Sequence, residues 1–161
     1  MQDSNKGADT MRYFTGLLVA FTLTLCVAGC GDDSTGPAAE ACTPETTTVT
    51  ATVTTGQTVV FDWEPACPIA MLLVEDDASD MWGIGTDEES WGDPSDANQI
   101  APPVTYGVTP PGAIAFEEPL NLEANVPYDL ALWRILPEGS TAQCQMRFGN
   151  ACLITVRQFT R

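Results

Sequence analysis

The densest group of side chains that could do chemistry is a run of carboxylates between residues 75 and 96. It holds nine acids within 22 residues. Calcium prefers six to eight oxygen ligands, which acidic loops often supply. The EF-hand spacing fails, because counting from Asp87 as position 1 puts Trp91 at position 5, which must supply a ligand. A solvated acidic loop is therefore the alternative to a calcium site, whose candidate ligands are Asp76, Asp77, Asp80, Asp87 and Glu89.

Two tryptophans, Trp82 and Trp91, flank the same acids. An exposed indole ring offers an apolar face on which a sugar can stack, so both residues are candidates for ligand binding. They could instead pin the acidic segment to the protein core, which is the commoner use of tryptophan.

The residues needed for most catalytic sites are missing. The chain has no histidine, which excludes Ser-His and Cys-His catalysis and histidine-bound metals. Its one lysine is Lys6, near the N-terminus. Paired carboxylates could still hydrolyse glycosides, which requires two acids held at a set distance. We therefore expect no enzyme, with a carboxylate hydrolase as the remaining catalytic hypothesis.

The charge distribution argues against nucleic acids and anionic lipid head groups as partners. Between residues 31 and 133 there are 19 acids and no lysine or arginine. Nucleic-acid binding depends on clustered cations, and anionic lipid head groups attract them too. We expect neither partner, and high acidity by itself promotes solubility.

The N-terminal region has the layout of a secretory signal. Met11 and Arg12 precede an apolar stretch of 16 residues, 14–29, which is short for a transmembrane helix. Translation is expected to begin at Met11.

The end of that stretch, Val27-Ala28-Gly29-Cys30, resembles the lipobox of bacterial lipoproteins. The resemblance implies that residues 1–29 are a signal peptide and that the Cys30 thiol carries a diacylglyceryl group. It also implies an exported protein anchored to the cell envelope. Gly31, rather than an aspartate, follows the cysteine, which in this family favours the outer membrane.

The mature chain divides into a tether and one domain. Residues 30–45 are rich in Gly, Ser, Thr, Pro, Ala and acids, a composition typical of a disordered tether. Residues 46–161 are enough for one domain. Short apolar alternations separated by Gly, Pro and Asp predict an all-β sandwich. The predicted strands are a hairpin of 46–53 and 59–66, a buried strand at 69–74, and others near 82–84, 104–108, 128–136 and 153–159.

Within this domain, Leu122, Asn125 and Tyr128 resemble the tyrosine corner of fibronectin type III domains. Trp63 resembles the tryptophan of their second strand. The resemblance implies an immunoglobulin or fibronectin type III-like sandwich whose tyrosine hydroxyl bonds to nearby backbone. The acidic insertion at 75–98 departs from the compact connection of that family.

Four cysteines remain in the predicted domain and its tether, and an even number in an exported domain predicts two disulfides. Zinc binding by four thiolates is the alternative, but no C-x-x-C pair occurs. Cys42 and Cys67 fall nearly opposite each other in a hairpin centred near Gly56. Cys144 and Cys152 are equidistant from Phe148. The expected pairs are therefore Cys42 with Cys67 and Cys144 with Cys152.

These patterns together predict a lipid-anchored, non-catalytic interaction module of the cell envelope or cell surface. The alternative is a carbohydrate-binding module, assisted by calcium if the acidic segment binds it. No other cofactor is expected. The predicted partners are the membrane, through the lipid on Cys30, and a protein or glycan.

Overall fold

The structure is a computed structural model that describes residues 42–147 and 150–161. Within these ranges the chain forms nine strands, a 3-10 helix at Glu88–Gly92 and a four-residue helix, α1, at Pro94–Ala97. None of the helices described there is long and apolar enough to cross a membrane. The strands are β1 (Thr50–Thr54), β2 (Val60–Glu64), β3 (Met71–Glu75), β4 (Asp80–Gly85), β5 (Val104–Thr105), β6 (Ile114–Glu117), β7 (Pro127–Ile135), β8 (Gln145–Arg147) and β9 (Ala151–Thr160).

The strands form two antiparallel sheets, which confirms the prediction of an all-β sandwich. The smaller sheet has the order β1-β2-β5, and the larger has the order β6-β4-β3-β7-β9-β8. The predicted hairpin is present as β1 and β2, paired from Thr50 with Glu64 to Thr54 with Val60. Two strands, β6 and β8, were not predicted from the sequence.

The main core lies between the two sheets. On β2, Phe61 and Trp63 alternate with the exposed Asp62 and Glu64, so both rings face inward. The ring centroid of Phe61 lies 6.5 Å from that of Trp82 on the larger sheet. Because large aromatic side chains bury the most apolar area, these rings dominate the contact that holds the sheets together.

The larger sheet is also covered on its outer face. All residues from Met71 to Val74 are buried, as expected for a central strand without alternation. Met71 and Leu73 belong to a second apolar cluster that includes Trp133 of β7 and Ala97 of α1, with Trp91 packed against it. The segment 86–98 is therefore a cover for this sheet, rather than a freely solvated acidic loop.

The tyrosine hydrogen bond implied by the fibronectin type III resemblance is present. Tyr128 is 2% exposed, and its hydroxyl accepts a bond from the backbone N–H of Glu123 at 2.7 Å. Between these two residues, Asn125 has a φ of 64°, and Leu122, just before Glu123, is buried. Asparagine tolerates this left-handed conformation better than most residues, so the turn that returns the chain into β7 suits its sequence.

A second tyrosine fixes the connection between β6 and β7. The Tyr106 hydroxyl lies 2.9 Å from the carbonyl oxygen of Met81 and 2.8 Å from that of Leu120. Burial raises the pKa of Tyr106 to about 12, and the neighbouring Tyr128 adds to the shift. The phenol is therefore protonated at neutral pH, and its single O–H can donate to one of these carbonyls or be shared between them.

The two core tryptophans of the sandwich form a matched pair for mutation. We expect Trp63→Phe to lower the free energy of unfolding by about 1–2 kcal/mol more than Trp82→Phe. Both side chains are fully buried, at 1% and 0% exposed, and both substitutions remove the same atoms. The Nε1 of Trp63 donates to the carbonyl oxygen of Cys67 at 2.8 Å, whereas the buried Nε1 of Trp82 has no hydrogen-bond partner among the described residues. Urea denaturation measures the difference, and equal losses would contradict it.

Candidate functional site

The strand that forms the floor of the candidate site carries glycine on its outer face. On β4, Trp82 and Ile84 face the main core, and Gly83 and Gly85 alternate with them. The ring of Phe116 from β6 lies over these glycines, since a Cβ added at Gly83 would overlap its Cε2 atom. An aromatic ring thus occupies the space that the missing side chains leave free.

The position of Phe116 results from a β-bulge. Gly83 pairs with Glu117 and Ile84 pairs with Ala115, so Phe116 is the extra residue between two registered pairs. A bulge locally twists a strand and redirects the side chain of its extra residue. Phe116 is 47% exposed, and Ile114, two residues earlier, is 55% exposed. β6 therefore presents two large apolar side chains at the surface.

The opposite wall is the segment that follows β4. The Thr86 hydroxyl donates to the carbonyl oxygen of Ala97 at 2.7 Å and accepts a bond from Nε1 of Trp91 at 3.2 Å. Asp87 caps the 3-10 helix by accepting the N–H of Glu89 at 3.1 Å. These bonds hold the partly buried Trp91 ring against the sheet and place the acids of the short helix beside it.

Between these walls lies a groove of about 570 Å³. We call it the outer-face groove. Its lining combines apolar side chains and carboxylates and includes no lysine or arginine. The lining residues are Met71, Asp80, Gly85, Thr86, Asp87, Glu88, Glu89, Trp91, Ile114 and Phe116. The rings offer stacking surfaces, and the carboxylates accept hydrogen bonds and attract cations.

The structure overturns one predicted ligand-binding residue and brings the other into the groove. Trp82 is fully buried in the main core beside Phe61, so its ring cannot contact a ligand. The cause is the two-residue period of β4, which points Trp82 to the same face as Ile84. Trp91, by contrast, lines the groove.

The candidate calcium ligands do not gather around one point. Asp80, Asp87 and Glu89 line the groove, and Asp76 and Asp77 do not. Across residues 42–147 and 150–161, no group of three or more metal-ligating side chains could hold an ion. Asp76 instead accepts the backbone N–H groups of Ala78 and Ser79, both at 2.8 Å, and these bonds lower its pKa. Calcium binding stays a prediction, and the described residues do not supply a set of ligands for it.

Both predicted disulfides are present. Cys42 is bonded to Cys67 with 5.4 Å between Cα atoms, and Cys144 to Cys152 with 5.7 Å. The predicted signal peptide, Cys30 and the tether as far as residue 41 lie outside the described residues.

Beside the first disulfide, a buried arginine has a structural use. Arg134 is 5% exposed, and its Nη1 donates to the carbonyl oxygens of Thr46 at 2.8 Å and Thr43 at 3.2 Å. Burial lowers its pKa. A cavity of about 250 Å³ adjoins it, but the Asn98 amide that lines this cavity already donates to the carbonyls of Pro94 and Ile135. The hydrogen bonds of Arg134 attach the start of the domain to β7.

Comparison with known protein families, with curated proteins and with solved structures finds no match for this chain.

Proposed function

We propose that this protein is a lipid-anchored, non-catalytic interaction module of the cell envelope, and that it binds its partner in the outer-face groove. The observation that carries this proposal is the surface exposure of Phe116 and Ile114 beside Trp91. Apolar side chains grouped at the rim of a groove are typical of a binding site. The acids beside them give the site a charge preference.

The sequence and the disulfides support export and anchoring. The lipobox-like residues that end at Cys30 supply the lipid attachment site, and Gly31 favours the outer membrane. Two disulfides suit an oxidising compartment outside the cytoplasm. The absence of histidine from the chain supports a role in binding rather than catalysis.

We assign the domain to the fibronectin type III-like sandwiches. Support comes from the Tyr128 hydroxyl that accepts the Glu123 N–H and from the buried Trp63 on the second strand. The division into three and six strands departs from the four and three of constant-type immunoglobulin domains. β6, which bears the exposed residues of the groove, is at the edge of the six-stranded sheet.

Carbohydrate binding is the second candidate function. The partly exposed ring of Trp91 stands beside carboxylates that could accept hydrogen bonds from sugar hydroxyls. Because Trp82 is buried in the core, only Trp91 of the two predicted stacking residues is placed to contact a sugar. A glycan array separates it from protein binding.

Site-specific photocrosslinking in living cells tests the groove. With p-benzoylphenylalanine in place of Phe116, we expect discrete adducts of defined mass. The same probe at Val108, which is 56% exposed and does not line the groove, should give at least fivefold less adduct. Equal adduct patterns at the two positions would show that the groove is not a preferred binding surface.

A further inference from the structure

The groove is continuous with a free edge of the larger sheet. β6 is the terminal strand of that sheet and pairs only with β4 among the described strands. All four of its residues are exposed. Proteins usually protect such edges with lysine, proline, a bulge or a very short strand, because unpaired backbone groups attract another strand. β6 is short and has a bulge at Phe116, but it contains no lysine or proline. Its exposed Ile114 and Phe116 are apolar side chains that an added strand could cover.

The charges beside this edge argue against a second copy of the chain as the added strand. Glu117 ends β6, Glu118 follows it, and Asp80, Glu88 and Glu89 line the adjoining groove. A second copy would bring the same acids close to these, and molecules of high like charge repel one another. The chain as a whole has a formal charge of −16. Charge complementarity therefore favours a basic partner.

The two rings of the groove favour arginine over lysine. A guanidinium group stacks on aromatic rings and binds carboxylates through two parallel hydrogen bonds, whereas an ammonium group does neither as well. The groove offers Trp91 and Phe116 as ring surfaces and Glu88 and Glu89 as carboxylates. Along an extended peptide, alternate side chains point to the same face. Arginine at every second position would therefore place several guanidinium groups on the groove side.

We propose that the outer-face groove binds an extended, arginine-rich segment of a partner protein, which adds as a strand to the free edge of β6. The inference rests on the proposed function and names the chemistry of its ligand. Backbone hydrogen bonds to β6 would supply affinity, and arginine side chains in the groove would supply specificity.

The test uses a defined peptide with alternating Arg and Thr, eight residues long, acetylated and amidated. Isothermal titration calorimetry with the disulfide-bonded mature domain at physiological salt should detect binding. The Lys-Thr counterpart should bind at least threefold more weakly. Glu88→Gln with Glu89→Gln should weaken Arg-Thr binding at least tenfold. The exposed residues Glu64 and Glu123 lie outside the groove, and their double change to Gln should alter the affinity less than twofold. An equal loss in the two double variants would overturn the proposal in favour of general charge attraction.

Two backbone-methylated peptides test strand addition. In an extended chain the N–H groups of alternate residues point to opposite edges. Methylation of every Thr nitrogen blocks one edge of the peptide, and methylation of every Arg nitrogen blocks the other. We expect one methylated peptide to bind like the parent and the other to lose at least tenfold in affinity. Equal binding of the two would overturn strand addition.

The proposed function and this inference can fail separately. If photocrosslinking at position 116 yields a partner while no arginine-rich peptide binds, the groove remains the binding site and the basic strand is wrong. If the probe at 116 gives no more adduct than the probe at 108, the groove is not a preferred binding surface, and the proposed function fails at this site.

Discussion

Replacing Cys42 and Cys67 together by alanine should lower the free energy of unfolding by about 3.5 kcal/mol. The cause is the loop that this disulfide closes: the two cysteines are 25 residues apart, and reopening the loop returns conformational freedom to the unfolded chain. Since small domains are stable by roughly 5–15 kcal/mol, the loss is a large share of the total. Cys67 is also fully buried, so the substitution removes packing near Trp63.

The matched control is the second disulfide. Cys144 and Cys152 are eight residues apart, so their replacement by alanine should cost about 2.5 kcal/mol in the same chain-entropy model. Urea denaturation without reductant measures both double variants. If both double variants lose the same free energy of unfolding, loop length does not determine how much each disulfide stabilises the domain.

The sequence predicted the strands in which buried side chains either alternate with exposed ones or follow one another without interruption. β2 exposes alternate polar residues, β3 is apolar and buried from Met71 to Val74, and β7 has nine residues that are mostly buried. The strand predicted at 104–108 is shorter because Tyr106 turns inward and Gly107 adopts a φ of 76°. β6 has only three consecutive apolar residues, 114–116, and no polar residue alternates with them, so the sequence does not mark it as a strand.

The disulfide pairs were predicted correctly, although the hairpin argument for the first pair was incomplete. The β1–β2 ladder ends at the pair Thr50 and Glu64, so it does not extend to either cysteine. Cys67 is held instead by burial in the main core, and Cys42 packs against the same core from the preceding segment. The two cysteines meet because both flanking segments return to one apolar cluster.

The groove could be predicted only in part. Its acids and Trp91 stand close together in the sequence, which made them visible as candidates. Phe116 lies 25 residues further on, and its place depends on the bulge opposite Gly83. The sequence signal for a covering ring is the pair Gly83 and Gly85 at alternate positions of β4. Glycines there leave a free surface that a ring from the neighbouring strand can cover. The error at Trp82 was avoidable, since its two-residue period with Ile84 already indicated a buried face.

Replacing Cys30 by serine should abolish attachment of lipid, because only a thiol can form the thioether that the lipobox resemblance implies. Cells grown with labelled palmitate should incorporate label into the native protein and none into the Cys30→Ser variant. The variant should also keep its signal peptide, so intact-mass spectrometry should find a chain that begins upstream of residue 30. The loss of label should be complete, because the variant has no thiol at position 30 to carry an acyl chain. It should also lose the membrane affinity of about 0.8 kcal/mol that each buried methylene of an acyl chain contributes.

A neighbouring cysteine provides the control for this experiment. Cys26 lies four residues earlier, inside the apolar stretch, and the expected cleavage before Cys30 removes it. Cys26→Ser should therefore be labelled and processed like the native protein. Lipid label on the Cys30→Ser variant, or its processing at residue 30, would mean that the chain is not a lipoprotein of this kind. Loss of label from Cys26→Ser alone would move the attachment site upstream and leave Cys30 in the mature chain as a free thiol.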